Sequence, residues 1–345
     1  MLRTKLIPVA SPTPGVFRLR FEVRNDGPDT LHLLKWFTPL EGLWSNCLDV
    51  RHEDGKRIPY DGRLAKRAAP GANDYLTLAP RAADAVEFDL QEAYDMTARA
   101  GAYNVKPAPP TLDYFSASTA LVHPMSTLGK QTLKKEATLE GTVVRVARGT
   151  PQMQTSGARI RSEEARRPKT TAKMSPSLAK KVAPLEPQFV GGTVTQQSHA
   201  RQAHFDGYAL AAAALTHHKK GSRYTEWFGK YAASRFKRVK DNYTKIKRDM
   251  ETKTFTYDLT GTGCQPSWFA YTHIGTTTIW MCGAFWTAPQ NGTDSKAGTI
   301  VHEHGHASAD LDDIQYTQAN CRQLASDEPA EAVLNADTHE YYARG

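Results

Sequence analysis

Long apolar runs are missing from the 345-residue chain. A membrane-spanning helix needs about 20 predominantly apolar residues, and no stretch of the sequence approaches that length. The N-terminus is basic, but its apolar run at residues 6–10 is too short for the apolar region of a signal peptide. We therefore expect no membrane partner. A secreted protein of this sequence would begin after a removed signal or leave the cell by another route.

Cysteine is scarce, and the four cysteines form neither a C-x-x-C pair nor the spacing of a structural zinc site. Most of the chain also has no charge imbalance, because residues 1–129 contain 15 basic and 15 acidic residues and residues 190–345 contain 16 of each. The net charge of +8 comes from residues 130–189, with 13 basic and 5 acidic residues. The basic character therefore belongs to one segment, and no basic binding face is expected on a folded domain.

Aromatic residues are absent from residues 150–187, where Pro, Ser, Thr, Lys and Arg dominate. Such a segment cannot bury enough apolar surface to become ordered. Without aromatic side chains to stack on bases, its charge is a poor indication of nucleic-acid binding. We therefore predict a disordered linker over residues 150–189, exposed to proteolysis and suited to activation. The lysines at which it could be cut are Lys169, Lys173, Lys180 and Lys181.

Residues 1–149 have the pattern of β-structure. The stretch VFRLRFEVRND alternates apolar and polar residues with a period of two, and LHLLKWF, AVEFDL and GAYNVK follow between turn signals. Short strands at such spacing are typical of an immunoglobulin-like β-sandwich. No residue in this half is arranged for catalysis. A prodomain that covers or helps to fold the other half is the preferred interpretation, and a binding module is the alternative.

The C-terminal half contains the motif H-E-x-x-H as His302, Glu303 and His306. Residues four apart share one face of a helix, so both imidazoles can reach one metal ion with the glutamate beside it. A catalytic zinc site has three protein ligands and a water. The third ligand must therefore come from elsewhere in the chain.

An acidic cluster lies just downstream of the motif. Asp310, Asp312 and Asp313 are candidates for the third ligand, and the phenol of Tyr316 follows at a distance that suits peptide hydrolysis. His304 lies between the two histidines of the motif but points to another face of the helix, so we expect it to support the site or to be exposed. The cluster favours a metal-dependent protease.

The rest of residues 190–345 has a globular composition. Its sequence pattern predicts two helices, two or three strands, the motif helix and two closing helices. The expected positions are a helix at 198–220, a long amphipathic helix at 223–253, strands within 255–289, and a motif helix capped by Thr293 or Asp294.

Four blocks of this half resemble the deuterolysin-type (aspzincin) zinc metalloendopeptidases, most closely the fungal peptidyl-Lys branch. The blocks are RYTEWFGKYAASR, WMCGAFWTAPQNGTDSKAGTIVHEHGH, DDIQYTQANCRQLA and PAEAVLNADTHEYYA, and they occur in the order of the family. The N-terminal half, with LLKWFTPLEG, is similar to the prodomain of bacterial members. The resemblance implies an α+β fold, in which a mainly helical zincin-like domain with a small sheet follows the β-sandwich.

The resemblance also implies a role for each residue of the motif region. The implied roles are zinc ligands His302, His306 and Asp313, general base Glu303, and oxyanion stabiliser Tyr316. In the family, Gly-Thr precedes the ligand aspartate and a glycine follows the tyrosine. Here the Gly-Thr is absent and Thr317 replaces the glycine. We therefore expect this loop to bend differently.

Further residues match the peptidyl-Lys branch by position. Asp337 and Glu340 match the acidic pair of its P1′ pocket, although an acidic helix face is more often simply solvated. Cys264 and Cys282 match a disulfide of the relatives, which leaves Cys47 and Cys321. A free or buried state is the preferred interpretation for each of these two; the alternatives are a bond between them that tethers the prodomain, and a Cys47 thiolate at the open zinc position. A substrate strand is expected to add to a sheet edge near residues 277–284.

The predicted protein is a secreted endopeptidase with one Zn²⁺, made as a proenzyme, that cleaves on the N-terminal side of lysine. Its expected partners are protein or peptide substrates and its own prodomain, with no nucleic acid. One alternative is a broad-specificity aspzincin endopeptidase or toxin. Others are a non-catalytic binding protein that uses the β domain, and a metal-dependent hydrolase that acts on something other than peptides.

Overall fold

A computed structural model of the protein describes residues 1–108, 111–116, 134–167 and 183–344. The chain forms two compact units. The first comprises residues 1–63 and 69–158, and the second comprises residues 64–68 and 159–345. Five residues from the middle of the N-terminal half therefore belong to the second unit.

The first unit consists mainly of β-strands. The alternation predicted from the sequence is present in the second strand, where Leu19, Phe21 and Val23 are buried and their neighbours are more exposed. The strands in chain order are β1 (Leu2–Val9), β2 (Arg18–Asn25), β3 (Leu31–Leu34), β4 (Leu48–His52), β5 (Arg63–Arg67, all but its first residue in the second unit), β6 (Tyr75–Leu78), β7 (Ala83–Asp89), β8 (Gly101–Pro107), β9 (Thr111–Ser116), β10 (Lys134–Glu136), β11 (Thr138–Glu140) and β12 (Thr142–Val146).

Three sheets form in this unit, with strand orders β11–β1–β2–β7, β10–β9–β3–β6 and β12–β8–β4. Neighbouring strands are antiparallel except for β1 and β11, which are parallel. Two short 3₁₀ helices, Ala72–Asp74 and Leu90–Glu92, lie between strands. The prediction of a β-rich N-terminal half is confirmed, while its immunoglobulin-like topology stays a prediction.

The second unit contains a five-stranded sheet. Its other strands are β13 (Gln188–Val190), β14 (Thr256–Asp258), β15 (Trp268–His273) and β16 (Thr278–Met281). The strand order is β13–β14–β16–β15–β5, so β5 lies at one edge. The prediction that a substrate strand adds to a sheet edge near residues 277–284 is wrong. In the sheet, β16 pairs with β14 on one side and β15 on the other, and β15 pairs with β5, so neither strand lies at an edge.

Helices make up most of the second unit, which confirms the α+β prediction. They are α1 (Ser156–Arg166, whose first residues belong to the first unit), α2 (Val194–Thr216), α3 (Ser222–Phe228), α4 (Ala233–Thr252), α5 (Gly283–Thr287), α6 (Lys296–Ala309), α7 (Gln318–Asp327), α8 (Pro329–Ala332) and α9 (Ala336–Ala343). The central α6 packs against α2, α4, α9 and β15. No described helix is long and apolar enough to span a membrane.

The single long helix predicted over 223–253 is instead two helices. The first helix, α3, ends at Gly229, whose φ is +71°. This left-handed conformation favours glycine, and a Cβ at this position would collide with the carbonyl of Ala325. The amphipathic period therefore continues across a break that the pattern alone does not reveal.

The helix α1 lies in the segment predicted to be a disordered linker. For these residues the prediction is wrong, because polar side chains give the helix specific partners. Glu164 accepts hydrogen bonds from the backbone N–H of Thr277 and the hydroxyl of Thr278, at 2.8 and 2.7 Å, and Arg161 donates to the carbonyl of Ile274 at 2.9 Å. The candidate cut sites lie outside the described residues; they are Lys169, Lys173, Lys180 and Lys181.

Candidate active site

The helix α6 carries the H-E-x-x-H motif through the core of the second unit. It begins at the N-cap Ser295, whose hydroxyl accepts a hydrogen bond from the N–H of Gly298 at 3.1 Å. The expected cap at Thr293 or Asp294 is wrong by one or two residues. A Cβ at Gly298 would collide with the carboxylate of Glu340, so glycine allows α9 to pack closely on this helix.

Three buried ligand atoms converge beside α6. The Nε2 atoms of His302 and His306 are 3.0 Å apart, and Oδ1 of Asp313 lies 3.1 and 3.4 Å from them. Ligands held about 2.0–2.1 Å from a tetrahedral zinc ion lie roughly 3.3 Å from one another. The three atoms therefore have the spacing and chemistry of zinc ligands, and Asp313 Oδ1 has no hydrogen-bond partner that would compete.

Hydrogen bonds on the far side of each imidazole fix its orientation. Nδ1 of His302 lies 2.8 Å from Oδ1 of Asp337, and Nδ1 of His306 lies 2.8 Å from the carbonyl of Leu311. A proton on each Nδ1 leaves Nε2 as the lone-pair donor. Both rings are thereby prepared to bind one cation.

The loop that carries Asp313 is held by Asn335. Its side-chain carbonyl accepts hydrogen bonds from the N–H groups of Ile314 and Gln315 at 2.9 and 3.0 Å, and its amide donates to the carbonyl of Gln315 at 3.0 Å. Asp312 pairs with the same region as an isolated β-bridge to Asn335. These bonds hold the loop that carries Asp313 in this chain, where the Gly-Thr of the family pattern is absent.

The end of this loop is strained. Thr317 has φ of +69° and ψ of 150°, a conformation in which glycine is favoured. Its buried hydroxyl has no hydrogen-bond partner, while its N–H donates to Asp337 at 3.1 Å. Threonine at this position therefore has a backbone conformation that glycine adopts without strain.

The other candidate residues near the motif, Asp310, Asp312 and His304, lie outside the group of metal-binding residues. Asp310 ends α6 with φ of +55° and lies beside Lys245 at 3.6 Å, and neither it nor Asp312 joins the cluster of metal-binding atoms. His304 is buried on another face against Phe255, with ring centroids 4.2 Å apart. It is thus a core residue, and the expectation that it could be exposed is wrong.

Glu303 lies beside the three ligand atoms with one oxygen available. Its Oε1 accepts a hydrogen bond from the N–H of Lys66 at 3.1 Å, and its buried Oε2 has no hydrogen-bond partner. Burial raises the pKa of Glu303 to about 7, although the neighbouring histidines oppose this shift. A carboxyl with a pKa near neutrality can both accept and return a proton.

The charges of the cluster are those of a site that binds a cation. Burial disfavours protonation of His302, yet the carboxylates of Asp313 and Asp337 outweigh burial and raise the pKa of His302 to about 10. Burial likewise opposes ionisation of Asp313, but His306 and His302 hold its pKa well below the usual value. A proton and a metal ion therefore compete for the same place between these groups.

A second group of buried carboxylates lies next to the metal-binding atoms. Asp337 and Glu340, on α9, are 1% and 0% exposed, so the interpretation of a solvated face is wrong. They contact the ammonium of Lys66 at 3.0 and 2.5 Å. Burial disfavours the charged lysine, but the two carboxylates raise the pKa of Lys66 well above its usual value. The pair therefore forms a pocket for a lysine side chain.

Tyr316 contacts the same short strand. Its hydroxyl donates a hydrogen bond to the carbonyl of Ala65 at 2.9 Å, and Oδ2 of Asp313 accepts one from the N–H of Ala65 at 2.9 Å. Lys66 and Ala65 were missed by the sequence analysis. Their only signal is the basic pair Lys66 and Arg67 between apolar residues in LAKRAA, a pattern common to many strands.

One disulfide is present among the described residues. Cys264 and Cys282 are bonded, with Cα atoms 5.4 Å apart, and they join the segments that flank β15 and β16. Cys47 and Cys321 are buried thiols. The disulfide implied by the family resemblance is confirmed.

Comparisons with known proteins agree with this geometry. The family model for aspzincins, described as lysine-specific metallo-endopeptidase, matches residues 213–344. The chain is 32% identical to an extracellular protease of Aeromonas hydrophila, covering 99% of this chain and 91% of that protein. The chain belongs to the aspzincin zinc metalloendopeptidases.

Two fungal relatives of this aspzincin are named peptidyl-Lys metalloendopeptidases. The protein of Pleurotus ostreatus is 38% identical over 45% of this chain and 95% of its own length. The protein of Grifola frondosa is 29% identical over 93% of this chain and 86% of its own length. Of these two relatives, one thus matches under half of the aspzincin and the other nearly its whole length.

Proposed function

We propose that this zinc metalloendopeptidase cleaves proteins on the N-terminal side of lysine, with one Zn²⁺ held by His302, His306 and Asp313. The main observation in support is the buried pair of Asp337 and Glu340, whose carboxylates both contact the ammonium of Lys66. A buried carboxylate pair needs a compensating cation, and a substrate lysine supplies one. The names of the fungal relatives support the same specificity.

The protein groups around the ligands have complementary roles in hydrolysis. Zinc at this site would polarise the scissile carbonyl and make a water more acidic. Glu303 accepts the proton of the attacking water and returns it to the leaving amine. Tyr316 donates a hydrogen bond to the oxygen that becomes negative in the tetrahedral state. Asp337 and Glu340 hold the lysine that follows the cleaved bond.

The protein is also proposed to be secreted and made as a proenzyme. The relative from Aeromonas hydrophila is named an extracellular protease. The disulfide between Cys264 and Cys282 suits an oxidising compartment. The β-rich first unit contains none of the metal-binding or acidic pocket residues, which suits a prodomain.

Glu340→Gln tests the specificity. The substitution leaves the lysine ammonium with one carboxylate fewer, and losing one partner of a buried charge pair costs about 2–5 kcal/mol. We therefore expect kcat/KM for a peptide with one Xaa–Lys bond to fall roughly 30-fold or more. The control Glu331→Gln makes the same chemical change at an exposed position and should have no effect.

Mass spectrometry of the products from one reduced and denatured protein gives the second readout. Wild-type fragments should begin with lysine. A product set without lysine at the new N-termini would refute the proposed specificity and favour a broad-specificity endopeptidase.

A further inference from the structure

The buried carboxylate of Asp337 is fixed in position through one of its two oxygens. Its Oδ2 accepts hydrogen bonds from the backbone N–H of Thr317 and from the hydroxyl of Tyr341, at 3.1 and 3.2 Å. Because both donors hold Oδ2, the carboxylate cannot rotate without losing two hydrogen bonds, and its burial keeps bulk water from replacing them. The other oxygen, Oδ1, therefore has a fixed position as well.

The Oδ1 atom of Asp337 is shared by the metal-binding site and the lysine pocket. It lies 2.8 Å from Nδ1 of His302 and 3.0 Å from the ammonium nitrogen of Lys66. The side chains of both partners are fully buried. In such surroundings charge-assisted hydrogen bonds are strong, and neighbouring bonds in a network influence one another. An ammonium in the pocket therefore changes the hydrogen bond that His302 makes.

The hydrogen bond at Nδ1 of His302 affects how strongly the opposite ring nitrogen binds a metal ion. That nitrogen, Nε2, lies with His306 and Asp313 in the group of metal-binding residues. A carboxylate that accepts the N–H of a metal-binding histidine makes the ring a stronger ligand. An ammonium at the same oxygen draws part of the carboxylate charge away from the ring. The ring then donates less to the ion, which leaves the ion more able to polarise a carbonyl.

We propose that Asp337 couples the lysine pocket to the metal-binding site, so that a lysine ammonium at Oδ1 weakens the His302 ligand and speeds hydrolysis of the bond that precedes the lysine. This inference rests on the proposed cleavage before lysine, and it adds a role in the reaction to the role of Asp337 in recognition. In the transition state the substrate oxygen supplies charge to the ion, and Asp337 can then pair more closely with the ammonium. Lysine specificity therefore arises in kcat as well as in KM.

The coupling has a consequence for side chains that do not reach the pocket. A peptide with alanine after the cleaved bond leaves His302 fully paired with Asp337, so it should be hydrolysed slowly even at saturating concentration. The coupling is also reciprocal, because an ammonium that lowers the affinity for a metal ion is itself bound less tightly when the ion is present. Zinc affinity therefore reports the coupling without any measurement of hydrolysis.

Glu340 provides a matched comparison within the same pocket. Its carboxylate contacts the ammonium of Lys66 at 2.5 Å, but among the residues that the structure describes no hydrogen bond joins it to His302 or His306. Removing the charge of Glu340 should therefore weaken binding of an ammonium while its effect on the metal-binding site remains.

The first test measures the zinc dissociation constants of full-length proteins by competition with a chromophoric chelator. All of them carry Glu303→Gln, which prevents self-digestion, and Lys66 supplies the ammonium. Lys66→Met keeps most of the side-chain volume but removes the charge, so the zinc dissociation constant should fall by about fivefold or more. The same substitution should have less than about a twofold effect in an Asp337→Asn background, but its full effect in a Glu340→Gln background. Lys56→Met, at an exposed lysine, should leave the constant unchanged.

The second test uses n-butylammonium as the probe and does not depend on folding of a Lys66 variant. With a reporter peptide in which alanine follows the cleaved bond, it should raise kcat of the wild-type enzyme by about fivefold or more. Tetramethylammonium, which has the same charge but no N–H to donate, should have no such effect. Asp337→Asn should abolish the increase, whereas Glu340→Gln should need more butylammonium but reach the same relative increase.

Two results would overturn the coupling. One is an effect of Lys66→Met on zinc binding that persists in the Asp337→Asn background, since the charge would then act through space. The other is a kcat for the alanine reporter that butylammonium leaves unchanged. A wild-type enzyme that cleaves no Xaa–Lys bond would instead refute the proposed function, which the zinc dissociation constants do not measure.

Discussion

In the proposed mechanism, Glu303 is the residue on which the chemistry depends most directly. Glu303 does not belong to the group of three metal-binding residues, and its Oε2 has no hydrogen-bond partner. Glu303→Gln should therefore keep about one zinc ion per chain while its kcat falls roughly 100- to 10,000-fold. Metal analysis and peptide hydrolysis on the same sample measure both. Near-normal hydrolysis by the zinc-loaded variant would show that another group carries the proton.

Thr317 provides a second test at the scale of one residue. Its left-handed backbone conformation costs about 1–3 kcal/mol, and its buried hydroxyl has no hydrogen-bond partner. Thr317→Gly should raise the free energy of unfolding by about 1 kcal/mol, after the entropy that glycine gains in the unfolded chain is subtracted.

Urea unfolding in a Glu303→Gln background, which prevents self-digestion, measures this effect. Thr317→Ala is the matched control, since it removes the hydroxyl but keeps the strain of a Cβ. Equal stabilisation by both substitutions would attribute the effect to the hydroxyl and contradict the assignment to the backbone.

Single residues of the site were predictable where spacing on one helix determines their geometry. His302 and His306 are four apart on α6, and the family pattern selects Asp313 over its two acidic neighbours. Lys66 was not predictable, because its role depends on a contact with Asp337, which lies 271 positions away in sequence. Local periodicity carries no information about such a pairing.

At the scale of elements, the disulfide between Cys264 and Cys282 closes a short loop around β15 and β16. Removing it in a Cys264→Ala/Cys282→Ala double variant should lower the free energy of unfolding by about 3 kcal/mol, chiefly because the unfolded chain gains freedom. Thermal or urea unfolding under non-reducing conditions measures the loss. Reduced wild type should show a similar decrease, and an unchanged midpoint in both would contradict a stabilising role.

The boundaries of elements were harder to predict than their types. The pattern of apolar residues identified α4 and α6 but ran through the break at Gly229, which depends on a tertiary contact with the backbone of Ala325. In the same way, α1 is mostly polar, and its Glu164 accepts hydrogen bonds from Thr277 and Thr278, which lie more than 100 positions away in sequence. Composition can show that a segment lacks a core of its own, but not that another segment will order it.

At the scale of the molecule, stability should depend on pH through buried neutral histidines. Burial lowers the pKa of His204 and of His339 to about 4 each. As the pH falls below the unfolded pKa of about 6.5, the unfolded chain takes up protons that the folded chain does not. Stability is therefore lost between pH of about 6.5 and 4, by about 3 kcal/mol for each histidine.

Urea unfolding of the Glu303→Gln protein between pH 8 and pH 5 tests this dependence. His204→Gln keeps a polar side chain near the hydroxyl of Tyr257, with which His204 bonds at 2.8 Å, but cannot titrate. Its stability should fall less steeply on acidification than that of the parent. A parent whose stability is flat over this range would refute the expectation.

Asp337 has a consequence for how such an enzyme can evolve. One of its oxygens contacts both the metal-binding His302, at 2.8 Å, and the lysine ammonium, at 3.0 Å. Glu340 contacts the same ammonium, but no hydrogen bond joins it to either metal-binding histidine in the described part of the chain. Under the proposed specificity, selection for a new side chain after the cleaved bond can therefore act on Glu340 while metal binding is preserved, whereas a mutation at Asp337 alters two heritable traits at once. Under that proposal, lineages that abandon lysine should diverge first at Glu340.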